Sequence, residues 1–141
     1  IFFTSLLFFT TNTCMSQLLD QHRWKDRVIL LFAEDAQNRA LEEQLALFEE
    51  AAVGMDDRDL VVYRIFSEKG AKPGGEEMTT AEVNRLRDRY EVPEEKFTFI
   101  LIGKDGTVKL RESERVAIKR LFGLIDSMPM RKAEMRREKD G

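Results

Sequence analysis

A chain of 141 residues with one cysteine and one histidine offers chemistry few places to sit. Cys14 and His22 stand alone in their types, so no cysteine pair, no His-rich metal set and no triad of histidine with a nucleophile can be drawn. The most suggestive stretch is Phe32-Ala33-Glu34-Asp35-Ala36-Gln37-Asn38-Arg39, where an apolar run gives way to a helical pattern. A helix that starts there points free N–H groups and partial positive charge outward, so Asp35, Ala36, Gln37, Asn38 and Arg39 could hold an anion. The plainer alternative is a capped turn with Arg39 in solvent. Asp56-Asp57-Arg58-Asp59 gathers carboxylates but lacks the glycine and terminal glutamate of a calcium loop, and reads as a helix-to-strand turn. Lys69 to Gly75 has no Gly-Lys-Ser/Thr ending and reads as a surface loop, not a phosphate cradle.

Two further groups fit recognition better than catalysis. His22 and Trp24 precede the first apolar run, where they could meet a partner or close one edge of the core. Met130, Arg131, Met135 and Arg136 combine adaptable thioethers with cations near the chain end, a composition suited to a partner surface. The competing reading folds these methionines back onto the core. No catalytic residue, metal site or cofactor is expected; the partner is a protein or small molecule of unknown identity, and the oligomeric state is open.

Charge and composition narrow the classes. Acidic side chains number 26 against 23 basic ones, a net charge of -3, which gives no electrostatic case for nucleic acid. The first residues differ from the rest: Ile1 to Thr13 carries no charge and is rich in Phe, Leu and Ile. It falls short of the roughly 20 apolar residues needed to span a bilayer. With the small-any-small spacing of Cys14-Met15-Ser16 it predicts a signal peptide over 1–16, its basic n-region upstream of Ile1, and a mature start at Gln17. Lipid-modified Cys14 and a first buried strand are the alternatives. Cleavage implies an exported protein, periplasmic or extracellular, with no membrane attachment and no thiol.

The remaining pattern must position these groups. Arg27 to Ala33 is an uninterrupted apolar run, as in a strand covered on both faces. Leu41, Leu45, Phe48 and Ala52 recur at helical spacing up to Gly54, read as a C-cap, and Asp59 to Phe66 is a second strand. Two strands joined by a helix predict a parallel βαβ unit. Ser67 to Met78 is a flexible loop around Lys72-Pro73-Gly74-Gly75. Thr79 and Glu82 then form a capping box for a helix to Tyr90. Phe97–Ile102 and Thr107–Arg111, joined through Asp105-Gly106, make an antiparallel hairpin. A last helix spans Val116 to Met128 and stops at Pro129. The domain thus covers 17–129, and a charged tail of 130–141 is expected to fray.

The order β, α, β, α, β, β, α is that of the thioredoxin-like fold: three layers around a mixed sheet of about four strands, with a C-terminal hairpin followed by a helix. The wording "HRWKDRVILLFA", "LIGKDGTVKLR" and "LIDSMPMRKAEMR" resembles the small exported bacterial proteins of the DUF4174 family over residues 18 to 136. Related domains occur in animal sushi-repeat-containing extracellular proteins. The resemblance implies a peroxiredoxin-like fold, export and no established activity. On a thioredoxin pattern the two sulfur positions become Ala36 and Arg39, and neither side chain can attack a disulfide or a peroxide. The proline that thioredoxins place before the third strand corresponds to Phe97 or Thr98, since Pro93 comes too early. These departures favour a non-catalytic binding module. The alternative is an oxidoreductase-related enzyme or a partner subunit of a thiol enzyme.

Overall fold

A computed structural model describes residues 16–141, with side chains from Leu18 onward. The expected leader and Cys14 therefore lie, but for Ser16, outside the described residues. β1 (Arg27–Phe32) is buried at every position, because both its faces are covered. Val28, Leu30 and Phe32 meet Val83 and Leu86 of α4 (Thr80–Arg89) and Leu19 of α1 (Ser16–Asp20). Ile29 and Leu31 meet Leu41 and Phe48 of α2 (Arg39–Glu50), Met55 of α3 (Ala52–Asp57) and Leu121 and Ile125 of α5 (Ile118–Asp126). These are the three layers that the apolar run requires.

β1 pairs in parallel with β2 (Leu60–Ile65) and antiparallel with β5 (Thr98–Ile102), which continues through its hairpin into β6 (Val108–Glu112). Gly106 turns that hairpin with φ of 82°, a left-handed backbone that suits glycine. The sheet has six strands rather than about four. The segment expected to be a loop supplies two more, β3 (Gly70–Ala71) and β4 (Glu77–Met78), each two residues long. Pro73 and the left-handed Gly74 and Gly75 bend the chain between them, and pairs this short leave almost no sequence period.

Two helix ends also differ from expectation. Helix α2 stops at Glu50, and Gly54 sits inside α3 instead of capping a helix. A Cβ on Gly54 would stand 2.5 Å from the Phe122 ring, so the glycine serves close helix packing. Pro129 does not end the chain's last helix; it opens α6 (Pro129–Asp140) at a position where its missing N–H costs nothing. The tail expected to fray is this helix, held by the ion pairs of Arg131 and Glu134. The capping box of α4 is present as read, with Glu82 N–H donating to Thr79 Oγ1 and Thr79 N–H donating to Glu82 Oε1. Among the described residues no helix is long and apolar enough to cross a membrane.

Candidate functional site

The loop after β1 uses its polar groups on itself. Asp35 Oδ1 accepts the Gln37 N–H at 2.9 Å, Asn38 Oδ1 accepts the Leu41 N–H at 3.0 Å, and Arg39 Nε donates to Glu43 Oε1 at 2.8 Å. Ala36 and Gln37 are exposed and hold nothing. Beneath the loop, Arg87 donates to the carbonyls of Pro93 and Phe66 and lies over the Phe32 ring. Desolvation lowers its guanidinium from the ordinary value.

The opposite end of the sheet is built differently. Arg27, first residue of β1 and only 1% exposed, sends Nη1 to the Arg58 carbonyl at 3.0 Å and both Nη atoms to the Glu134 carboxylate at 3.2 Å. Lys104, just past β5, donates from Nζ to Glu134 at 2.6 Å and to Asp59 at 2.8 Å. Arg131, 2% exposed, donates to Asp57 at 2.6 Å and to Asp126 at 3.1 Å, and Arg58 closes on Asp126 at 2.8 Å. Four cations thus face four carboxylates, drawn from β1, the α3–β2 turn, the β5–β6 turn, α5 and α6. Burial would raise the Glu134 carboxyl, but hydrogen bonds from Lys104 and Arg27 outweigh it and hold it below its ordinary value. The Arg58 hydrogen bond does the same for Asp126 against its burial, with help from Arg131.

This network explains the docking of α6. Its packing residues are Arg131 and Glu134, which a search for apolar periodicity passes over. It also absorbs the acidic run: Asp56 and Asp57 end α3, only Arg58 and Asp59 form the turn, and Asp57, Arg58 and Asp59 each hold an opposite charge on another element. Asp59 adopts φ of 50° to do so. Among the described residues no group of His, Cys, Asp and Glu could hold a metal ion.

The residues singled out near the two chain ends meet here through Lys104. Its carbonyl accepts the Trp24 N–H at 2.6 Å while its Nζ holds Glu134 of α6. His22 and Trp24 nevertheless part company. The His22 ring bridges Asp26 Oδ2 and Tyr63 Oη, each at 2.7 Å, and so closes the core edge. This Asp–His–Tyr chain runs on to the Leu18 carbonyl through a phenol that is buried and pushed up to about 12 by desolvation. Sequence spacing shows the His22–Asp26 pair but not the distant tyrosine. Trp24 turns outward, 65% exposed, with φ of 67°. Lys104 also lines a cavity of about 230 Å³, together with Arg27, Asp105, Lys109, Met128 and Met130. Met130 is 38% exposed; Met135 is half-buried, Arg136 is exposed, and Arg131 is committed to the ion network.

Comparison with known proteins places this geometry. The chain is 32% identical over 121 residues to the human sushi repeat-containing protein SRPX, a match covering 84% of this chain and 26% of that protein. It is 25% identical to zebrafish coiled-coil domain-containing protein 80, covering 86% of this chain and 16% of the relative. The chain therefore spans about a quarter or less of these relatives' length. Among solved structures, the reduced 2-Cys peroxiredoxin of Plasmodium vivax superposes with a TM-score of 0.57 at 15% identity, covering 86% of this chain and 84% of that one. That likeness establishes the thioredoxin-like fold. Residues 18–134 match the profile described as "Domain of unknown function (DUF4174)", and the chain belongs to that family.

Proposed function

We propose that this protein is a non-catalytic recognition domain of thioredoxin-like fold, exported from the cell, which meets a partner through the face around Trp24 and Met130. The observation that carries the reading is Trp24. A large aromatic held at positive φ gives up about 1–2 kcal/mol of backbone energy. With most of its surface in solvent it recovers little of that from packing. A strained, exposed tryptophan whose backbone is hydrogen-bonded to Lys104, a residue of the cavity wall, fits a binding anchor better than a folding residue. The loop that carries thiols in redox relatives of the fold has Ala36 and Arg39 at those positions, which supports the absence of redox turnover. Export rests on the apolar leader and on the family resemblance.

Two measurements test this reading. Disulfide reduction and peroxide consumption, assayed on the full chain and on Cys14→Ser, should both match the blank; turnover above it would favour an oxidoreductase. Trp24→Gly should keep its stability or gain up to about 1 kcal/mol in chemical denaturation. The same variant should lose whatever co-purifies with the wild-type protein from its own compartment. A Trp24→Gly variant that is destabilised and retains its partner would return the tryptophan to a structural role.

A further inference from the structure

The edge of β2 is only half covered. Arg27 N–H donates to the Asp59 carbonyl and Ala33 N–H to that of Ile65, so the odd-numbered residues of β2 turn their backbone groups toward β1. The even-numbered residues face the other edge. There β3 pairs with Arg64 and Ile65 alone, and then leaves at Lys72-Pro73. Among the described residues no strand pairs with the outward N–H and C=O groups of Leu60 and Val62. Such groups are a template for an added strand.

Below this edge lies an open groove of about 460 Å³ whose floor is Phe48, Met55, Leu60 and Val62. Its charges are divided along the strand. Arg64 stands at the end near β3, while Glu49 and Asp56 belong to the helices that approach the Leu60 end. None of these three side chains has an ion-pair or hydrogen-bond partner among the described residues, unlike the saturated network at Arg27. We propose that the open edge of β2 takes an extended peptide as an additional strand. It runs antiparallel to β2, with apolar side chains opposite Val62 and Leu60 and a basic group at its C-terminal end.

The direction follows from β3, whose line the peptide continues. Residues opposite Val62 and Leu60 exchange two backbone hydrogen bonds each and point their side chains into the groove. The position opposite Arg64 is filled by Ala71 of β3, so the peptide begins opposite Val62, and its basic end meets Asp56 and Glu49. A second copy of this chain fits less well. Pairing β2 with β2 about a two-fold axis carries each copy's β3, on that same edge, against the other's turn at Arg58 and Asp59. The groove shares no residue with the cavity or with Trp24, and the proposal is independent of that face.

The test titrates Ac-Val-Thr-Val-Thr-Lys-NH2 into the full chain and follows backbone amide shifts. Saturable shifts centred on residues 60–64 are expected, with about five-fold weaker binding of the charge-exchanged peptide Ac-Val-Thr-Val-Thr-Glu-NH2. The double variant Glu49→Lys, Asp56→Lys should reverse that preference. Val62→Pro removes an outward N–H that the sheet does not use and should weaken binding at least ten-fold with the fold retained. If that variant does not fold, the Glu49→Lys, Asp56→Lys exchange decides alone. No shifts at 60–64, equal affinity for the two peptides, or self-association that buries these amides without peptide would overturn the proposal.

Discussion

The two ends of the sheet use polar side chains in opposite ways. At the end where β1 runs into α2, every hydrogen bond of Asp35, Asn38 and Arg39 spans two to four residues, and the loop is tied to the rest of the sheet by the Glu34 carbonyl, which accepts from Ser67. At the other end, Arg27 reaches Glu134 across 107 positions of chain and Arg131 reaches Asp57 across 74. The loop at the first end opens α2, and the buried charges sit at the far end, where they tie β1, α3, α5 and α6 together. Dense, buried, balanced charge resembles an active site in composition, but saturation of every cation marks it as a clamp.

The largest effect should come from breaking the clamp. Glu134→Ala leaves Arg27 and Lys104 buried without their shared carboxylate, and loss of one partner of a buried pair costs about 3–5 kcal/mol. Urea denaturation should register a loss of that size, together with faster amide exchange throughout α6. A loss below 1 kcal/mol would mean that α6 docks through its apolar residues after all. Acid sharpens the same point. The folded Glu134 carboxyl lies below its unfolded value of 4.5, so the unfolded chain takes up the proton first. The stability that Glu134 contributes is therefore full above pH 4.5 and drains away as pH falls through the lower folded value. Denaturation midpoints measured from pH 7 to pH 3 should fall more steeply for the wild type than for Glu134→Ala. The lowered carboxyls of Asp126 and Asp105 add to the acid loss in both proteins.

The same contrast governs what the sequence made legible. Local rules were sufficient where the interaction is local: the Thr79–Glu82 capping box, the Asp105-Gly106 hairpin and the doubly buried β1 are all visible as short patterns. Helix α6 is not, because its inward face is Arg131 and Glu134, and nothing in the tail shows that their partners lie at 57, 126, 27 and 104. The acidic run at 56–59 had the converse problem. Its spacing reads as a helix-to-strand turn, but the distant cations that give it a purpose are set by topology. β3 and β4 escaped because two-residue strands carry no period, and Gly54 because the ring it accommodates is 68 residues away. His22 and Trp24, adjacent in type and position, were separated by a backbone angle at Trp24 that side-chain patterns do not encode.

Smaller effects belong to the loop at the start of α2. Asn38→Ala removes one N-cap bond and should cost about 1 kcal/mol, a fraction of the clamp variant. Arg39→Ala should move the denaturation midpoint not at all, because the guanidinium is 91% exposed and its pair with Glu43 is screened by water. That silence gives the comparison its finest test. If Asp35 to Arg39 is only a capped turn, sulfate added to the full chain leaves the amide shifts of residues 35–40 in place, with or without Arg39. Saturable shifts confined to those residues and lost in Arg39→Ala would mean that this end of the sheet keeps an anion site at the start of α2. The contrast between a locally bonded loop and a working clamp would then become one between two functional ends.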